Sequence, residues 1–170
     1  MPVYSPRPYE GLKRCIESVL DHTAEYNLII SASDKSQVEN INNGLDRCKS
    51  EYIAILDWDV YVCPLWSENL IDVLNDDIGI VGAKMIGGYN GMNSKANGIQ
   101  EWPTLAGGCM VFKNIGLRWD PKFPSGYWAD TDFCRQYKDK GYRVFINGDV
   151  IVEHDIHSSK TNASVSRNIS

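Results

Sequence analysis

The sequence predicts one α/β domain built on a mixed, mainly parallel sheet flanked by helices. Three observations carry that expectation. Short apolar runs rich in β-formers, Leu28-Ile29-Ile30 and Tyr52-Ile53-Ala54-Ile55-Leu56, alternate with stretches of helical periodicity. The second of these runs ends in two carboxylates, Asp57 and Asp59. At 170 residues with 43% hydrophobic content, the chain is long enough for a real core and ordinary for one globular domain.

Taken in order, Pro2-Val3-Tyr4 reads as the end of a first strand, followed by a turn through Pro6 and Pro8. Leu12, Cys15, Ile16, Val19 and Leu20 then place an apolar stripe on one helix face. Leu28–Ile30 is expected to be a second strand, followed by Ser31-Ala32-Ser33-Asp34, and Val38, Ile41, Leu45 and Cys48 to face inward from a second helix. With the strand ending at Asp57, the opening reads strand, helix, strand, helix, strand, which right-handed crossovers build into parallel sheet.

Pro64 is expected to open a third helix carrying Trp66, Leu70, Ile71 and Leu74 on one face. Ile78 to Ile86 reads as a strand, and residues 87–101 as a Gly/Asn-rich loop whose length marks it as functional or mobile. Gly107-Gly108 before the strand Cys109–Phe112 implies a close backbone approach. A helix over residues 129–140 stops at Gly141. Tyr142–Ile146 and Val150–Val152 read as two strands around an Asn147-Gly148 turn. Residues 1–158 form the domain on this reading, and 159–170 a polar tail.

Composition narrows the function classes. A net charge of −5 without a basic stripe argues against a general nucleic-acid binder. No apolar run approaches the ~18 residues of a membrane span, and no basic-then-apolar leader is visible. Five cysteines, odd in number and without a Cys-x-x-Cys, read as reduced thiols, so a cytoplasmic location is expected.

The acids suggest the chemistry. Asp57 and Asp59 at a strand's carboxyl end repel each other and lose hydration, which a divalent cation carrying a phosphorylated ligand would offset. A second cluster, Asp130 and Asp132, opens the late helix, where one acid is explained by capping and dipole and the pair is not. The aromatic approach ending in Tyr127-Trp128 suits a sugar or base pocket, against core packing as the plainer alternative. His154 and His157 follow the last strand, and either imidazole is a further candidate metal ligand.

These residues carry a resemblance. Pro2-Val3-Tyr4, Leu12-x-x-Cys15-Ile16-x-Ser18-Val19-Leu20, Asn43-Gly44-Leu45 and Glu51 through Asp59 stand in an order that resembles glycosyltransferase family 2. Ala106-Gly107-Gly108-Cys109-Met110, Asp130-Thr131-Asp132-Phe133-Cys134 and His154 extend it, so the likeness spans residues 2–158. It implies a GT-A (Rossmann-like) fold and a metal-dependent inverting transfer of a hexose from a nucleotide sugar, UDP-glucose or UDP-galactose first, to an acceptor hydroxyl.

Position by position, the resemblance implies that Asp59 and His154 hold Mn2+ or Mg2+ and that Asp130 is the general base. Pro2, Val3, Tyr4, Ser31, Asn43, Asp57 and Trp58 would bind the donor. Trp102, Gly107, Gly108, Trp128 and Asp132 would form the acceptor or sugar pocket. The chain departs from the family in three places: Met1 stands just before the Pro-Val-Tyr position, which shortens the first strand; Ser31 replaces the usual acid; and Ala129 stands where a Glu often precedes Asp130. No acceptor domain or anchor is read, so the expectation is a minimal catalytic core. Two alternatives stay open: a non-catalytic sugar-nucleotide-binding module, and a haloacid-dehalogenase-like phosphatase with Asp57 as nucleophile and Asp59 as acid/base.

Overall fold

A computed structural model describes residues 8–87 and 91–155. Pro2, Val3, Tyr4 and His157 therefore lie outside the described residues, as does the tail. The elements are α1 (Pro8–His22), α2 (Gln37–Arg47), β1 (Tyr52–Leu56), β2 (Val60–Tyr61), α3 (Trp66–Ile71), β3 (Ile78–Gly87), β4 (Ile99–Glu101), β5 (Cys109–Lys113), α4 (Ala129–Asp139) and β6 (Arg143–His154).

Among the described residues one six-stranded mixed sheet runs β1-β5-β3-β6-β2, with β4 also on β6. The long β3–β6 pairing is parallel, and the other pairings are antiparallel. Alternation divides each strand between two faces. Ile53, Ile55, Met110 and Phe112 point to the side covered by α2 and α4. Cys109, Val111, Val81 and Val152 point to the side of α1 and α3, where Val19, Trp66 and Leu70 meet them. The first side is aromatic: Phe133 of α4 lies edge-on to Phe112 at 5.1 Å and to Tyr137 at 5.3 Å between ring centroids.

Helices α1 and α2 follow the expected stripes. Ser36 caps α2, its hydroxyl accepting from the Glu39 amide while the Glu39 carboxylate accepts from Ser36 N–H. Elsewhere the structure corrects the sequence reading. Leu28–Ile30 forms no strand, and Leu28 and Ile30 are exposed. β-formers need a ladder partner, and none lies beside them among the described residues. The strand before Asp57 is not in a parallel pairing: β1 runs antiparallel to β5 and stands at the sheet edge among the described residues, with Ala54 exposed. Pro64 sits in a turn and α3 begins only at Trp66, after Leu65 in a left-handed conformation (φ 59°).

Asn147-Gly148 makes no hairpin. β6 runs straight through it with a bulge, where the register on β3 jumps from Ala83↔Asn147 to Lys84↔Ile151. Gly148 lies against the Ala96–Asn97 backbone and its amide donates to the Gly98 carbonyl. Part of the stretch expected to be a loop, residues 91–101, holds regular structure. It contains a 3₁₀ turn over Gly91–Lys95 and strand β4, and buried Asn93 donates to Ala83 O and accepts from Ala106 N.

Candidate active site

The ladder between β1 and β5 stops where Asp57 N–H donates to Gly108 O. The chain then turns tightly, with Val60 N–H donating to Asp57 O, and enters β2. That turn carries Asp57 and Asp59 to the end of the sheet. β2 pairs with the end of β6, placing Val60 opposite His154. Thus β6 delivers an imidazole to a site that β1 and β2 have supplied with carboxylates. Nε2 of His154 is 3.4 Å from Oδ1 of Asp59. Ligand atoms of Asp57, Asp59 and His154 all lie within 4.8 Å of one another.

This donor set fits a divalent cation. Two carboxylates and one imidazole suit Mn2+, whereas Mg2+ favours oxygen and retained water. Asp59 is only 5% exposed. Burial, then the charge of Asp59, pushes the Asp57 carboxyl up to about 6, with His154 opposing and Asp130 adding to the shift. Such a pair is costly without a cation to face it.

Around these ligands the backbone is held closely. Gly87, at φ +99°, lies against the His154 carbonyl where a Cβ would clash. Asp155 N–H donates to Asp59 O, and the Asp155 carboxylate accepts from the Tyr61 hydroxyl. Arg14 of α1 stacks over the Tyr61 ring at 3.9 Å. Burial, then Asp155, pushes the Tyr61 phenol up to about 12, so it stays a donor. Sequence reading missed Tyr61 and Asp155. Their only signal is adjacency to Val60 and His154, which becomes proximity once β2 and β6 pair.

Asp130 enters from the first turn of α4. One of its oxygens accepts from Gly107 N–H at 3.1 Å and the other from Thr131 N–H at 2.7 Å. Burial raises its pKa against these bonds. Asp130 and Asp57 are thus tied to adjacent residues, Asp130 accepting from Gly107 N–H and Asp57 N–H donating to Gly108 O. Gly107 also lies against the Trp119 ring and Gly108 against the Met85 sulfur, each leaving little room for a Cβ. The close approach expected at this Gly pair is present. Immediately before Asp130, Trp128 holds φ 68° and is 71% exposed, and Tyr127 is 73% exposed. The core-packing alternative for Trp128 is thereby excluded.

The remaining expected residues lie elsewhere. Asp132 gives its oxygens to Arg135 at 2.6 Å and Gln136 at 2.8 Å, and these bonds outweigh burial to hold its pKa low. Trp102 packs against the core with its indole N–H buried and without a partner. Trp58 lies over Gly11 of α1. Asn43 is exposed on α2, while its neighbour Asn42 bonds both the N–H and the carbonyl of Trp119. Ser31 is half-buried beside Gly44. All five cysteines are free thiols, and no described helix is long and apolar enough to cross a membrane.

No family model and no curated protein matches the chain. Solved structures similar in fold include two complexes. "GalNAc-T7 with UDP, GalNAc and Mn2+" aligns with a TM-score of 0.67 at 12% identity, over 91% of this chain and 43% of that one. "Mannosyltransferase PcManGT from Pyrobaculum calidifontis in complex with GDP-Man and Mn2+" aligns with a TM-score of 0.61 at 12% identity, over 90% of this chain and 55% of that one. The chain thus spans about half the length of these structures. At such identity the likeness shows the fold, and that fold is the mixed α/β architecture of GT-A glycosyltransferases.

Proposed function

We propose that this domain is a metal-dependent glycosyltransferase core that moves a hexose from a nucleotide sugar to an acceptor hydroxyl, with inversion at the anomeric carbon. The observation that carries the reading is the convergence of Asp57, Asp59 and His154 at one sheet end, with Asp130 held on Gly107 beside the Gly108 that bonds Asp57. Both similar structures contain Mn2+ and a nucleotide or nucleotide sugar, which supports the cation and the donor class. UDP-glucose or UDP-galactose is the first donor to test; GDP-mannose joins the panel because one similar structure contains it.

On this reading Asp59 and His154, with Asp57 beside them, hold Mn2+ or Mg2+. A bound divalent ion would offset the charge that develops on the departing diphosphate. Asp130 accepts the proton of the acceptor hydroxyl as that oxygen bonds to carbon. Its raised pKa makes it a better base than an exposed aspartate, and the Gly107 and Thr131 amides fix its orientation. Exposed Tyr127 and Trp128 offer apolar faces for a sugar ring next to that base. Gly107 and Gly108 shape the acceptor side by bringing backbone close. Asp132, bonded to Arg135 and Gln136, and Trp102, packed on the core, support α4 and the core more than they line a pocket. The haloacid-dehalogenase alternative is left without its fold.

The test is release of nucleoside diphosphate from UDP-glucose, UDP-galactose and GDP-mannose, with Mn2+ and with EDTA, for wild type and Asp59→Ala. Metal-dependent release that disappears in the variant supports the proposal. Tight donor binding with no release and no transfer to any acceptor would instead establish the binding module.

A further inference from the structure

Two of the candidate cation ligands stand at the ends of strands. Asp59 comes immediately before β2, a strand of two residues, and His154 is the last residue of β6. β2 and β6 share the pairs Val60↔His154 and Tyr61↔Glu153. So short a ladder frays, because few main-chain bonds oppose the entropy of a strand end. A cation site nonetheless needs its ligands held within about 0.5 Å of place.

Two contacts beyond the ladder meet that need. Asp155, next after His154, donates its N–H to Asp59 O at 3.0 Å. Its carboxylate accepts from the Tyr61 hydroxyl at 3.1 Å. With the pair Val60↔His154, these bonds close a ring through Asp59, Val60, Tyr61, Asp155 and His154. Neither strand end can shift without breaking a bond of that ring. The phenol is itself anchored: Tyr61 is 8% exposed and the Arg14 guanidinium lies over its ring at 3.9 Å. A hydroxyl donating to a carboxylate makes a charge-assisted bond, stronger than a neutral one. The group whose ligand atoms lie within 4.8 Å of one another is Asp57, Asp59 and His154, so Asp155 stands behind the ligands and not among them.

We propose that Tyr61 and Asp155 are positioning residues for the divalent-cation site, their hydroxyl–carboxylate bond holding Asp59 and His154 at the spacing a cation needs. The proposal rests on the reading of Asp57, Asp59 and His154 as cation ligands. Bonds of this outer kind orient the ligands, and their loss weakens metal binding by about 10–100-fold.

The test is the Mn2+ affinity of the full chain, read from the electron paramagnetic signal of the free ion, beside the unfolding temperature of the metal-free protein. Wild type, Asp59→Ala, Tyr61→Phe, Asp155→Ala, Asp155→Asn and the double variant Tyr61→Phe/Asp155→Ala are compared. Tyr61→Phe keeps the buried ring under Arg14 and should fold. Tyr61→Phe and Asp155→Ala should each weaken Mn2+ binding by about 10–100-fold. The double variant should be no weaker than either, because both changes remove one bond. Asp155→Asn, whose amide oxygen still accepts from Tyr61, should stay near wild type. A merely structural role would lower the metal-free unfolding temperature and leave the affinity of the folded protein unchanged. That result, or an Asp155→Asn as weak as Asp155→Ala, would overturn the proposal while Asp59→Ala still abolishes binding. Wild type that binds no Mn2+, or binds it no better than Asp59→Ala, would overturn the cation reading and this inference with it.

Discussion

Asp57 and Asp59 are two residues apart in sequence, yet their environments differ. Asp59 has His154 at 3.4 Å, while Asp57 is pushed up to about 6 by burial and by its neighbour. The sign of the consequence follows. A carboxyl whose folded pKa lies above its ordinary 3.8 makes the metal-free fold lose stability as pH rises from about 4 to 6. Metal requires the ionised form, so Mn2+ affinity should fall about tenfold per pH unit below 6 and level off above it. Calorimetric titration at pH 5, 6 and 7.5 measures this; equal affinity at 5 and 7.5 would refute the assignment. Asp130→Asn separates the proposed base from the candidate cation site. It should lower transfer by about 10²–10⁴-fold while leaving Mn2+ affinity near wild type. Loss of metal binding in that variant would place Asp130 among the ligands instead.

At the scale of elements, the site depends on how closely α1 and the loop after β3 approach the sheet. Gly11 of α1 lies under Trp58, and a Cβ there would be 2.7 Å from the ring. Gly11→Ala should therefore displace the Asp57–Asp59 turn, lowering stability by about 1–3 kcal/mol and weakening Mn2+ binding in parallel. Thermal unfolding with and without Mn2+ checks both effects. Asn93 pins the loop to Ala83 and Ala106 with no exposure to solvent. Asn93→Ala leaves a buried carbonyl and a buried amide without that partner, a cost of about 1–3 kcal/mol for each group left unsatisfied. It should also make the loop more sensitive to protease; unchanged sensitivity would show that β4 alone holds it.

Across the whole molecule, one aromatic cluster joins α4 to the sheet. Phe133 is fully buried between Phe112, Trp119 and Tyr137, three residues after Asp130. Phe133→Ala should cost about 3–5 kcal/mol through the cavity it leaves, measured by denaturant unfolding. Because α4 carries Asp130, activity should fall further than the folded fraction does. The opposite face, with Trp66 and Leu70 of α3 on Val81 and Val152, supports β6 and through it His154. The two cores thus position the two halves of the site from opposite sides of the sheet.

The sequence by itself determined the elements whose signals are local. Helical stripes placed α1 and α2, the stop at Gly141 bounded α4, and a run of β-formers ending in Asp57 placed β1. The sequence named Asp57, Asp59 and His154 as neighbours of one cation, and the structure brings their ligand atoms within 4.8 Å of one another. Strand partners belonged to the tertiary structure alone. Leu28–Ile30 has the composition of a strand and no ladder partner among the described residues, whereas Asn147-Gly148 has the composition of a turn and is carried through β6 as a bulge by the backbone at 96–98. A helix satisfies its hydrogen bonds within itself, so its pattern is written in adjacent residues. A strand satisfies them with residues far along the chain, as Val60 does with His154, and that information appears only when the sheet is assembled.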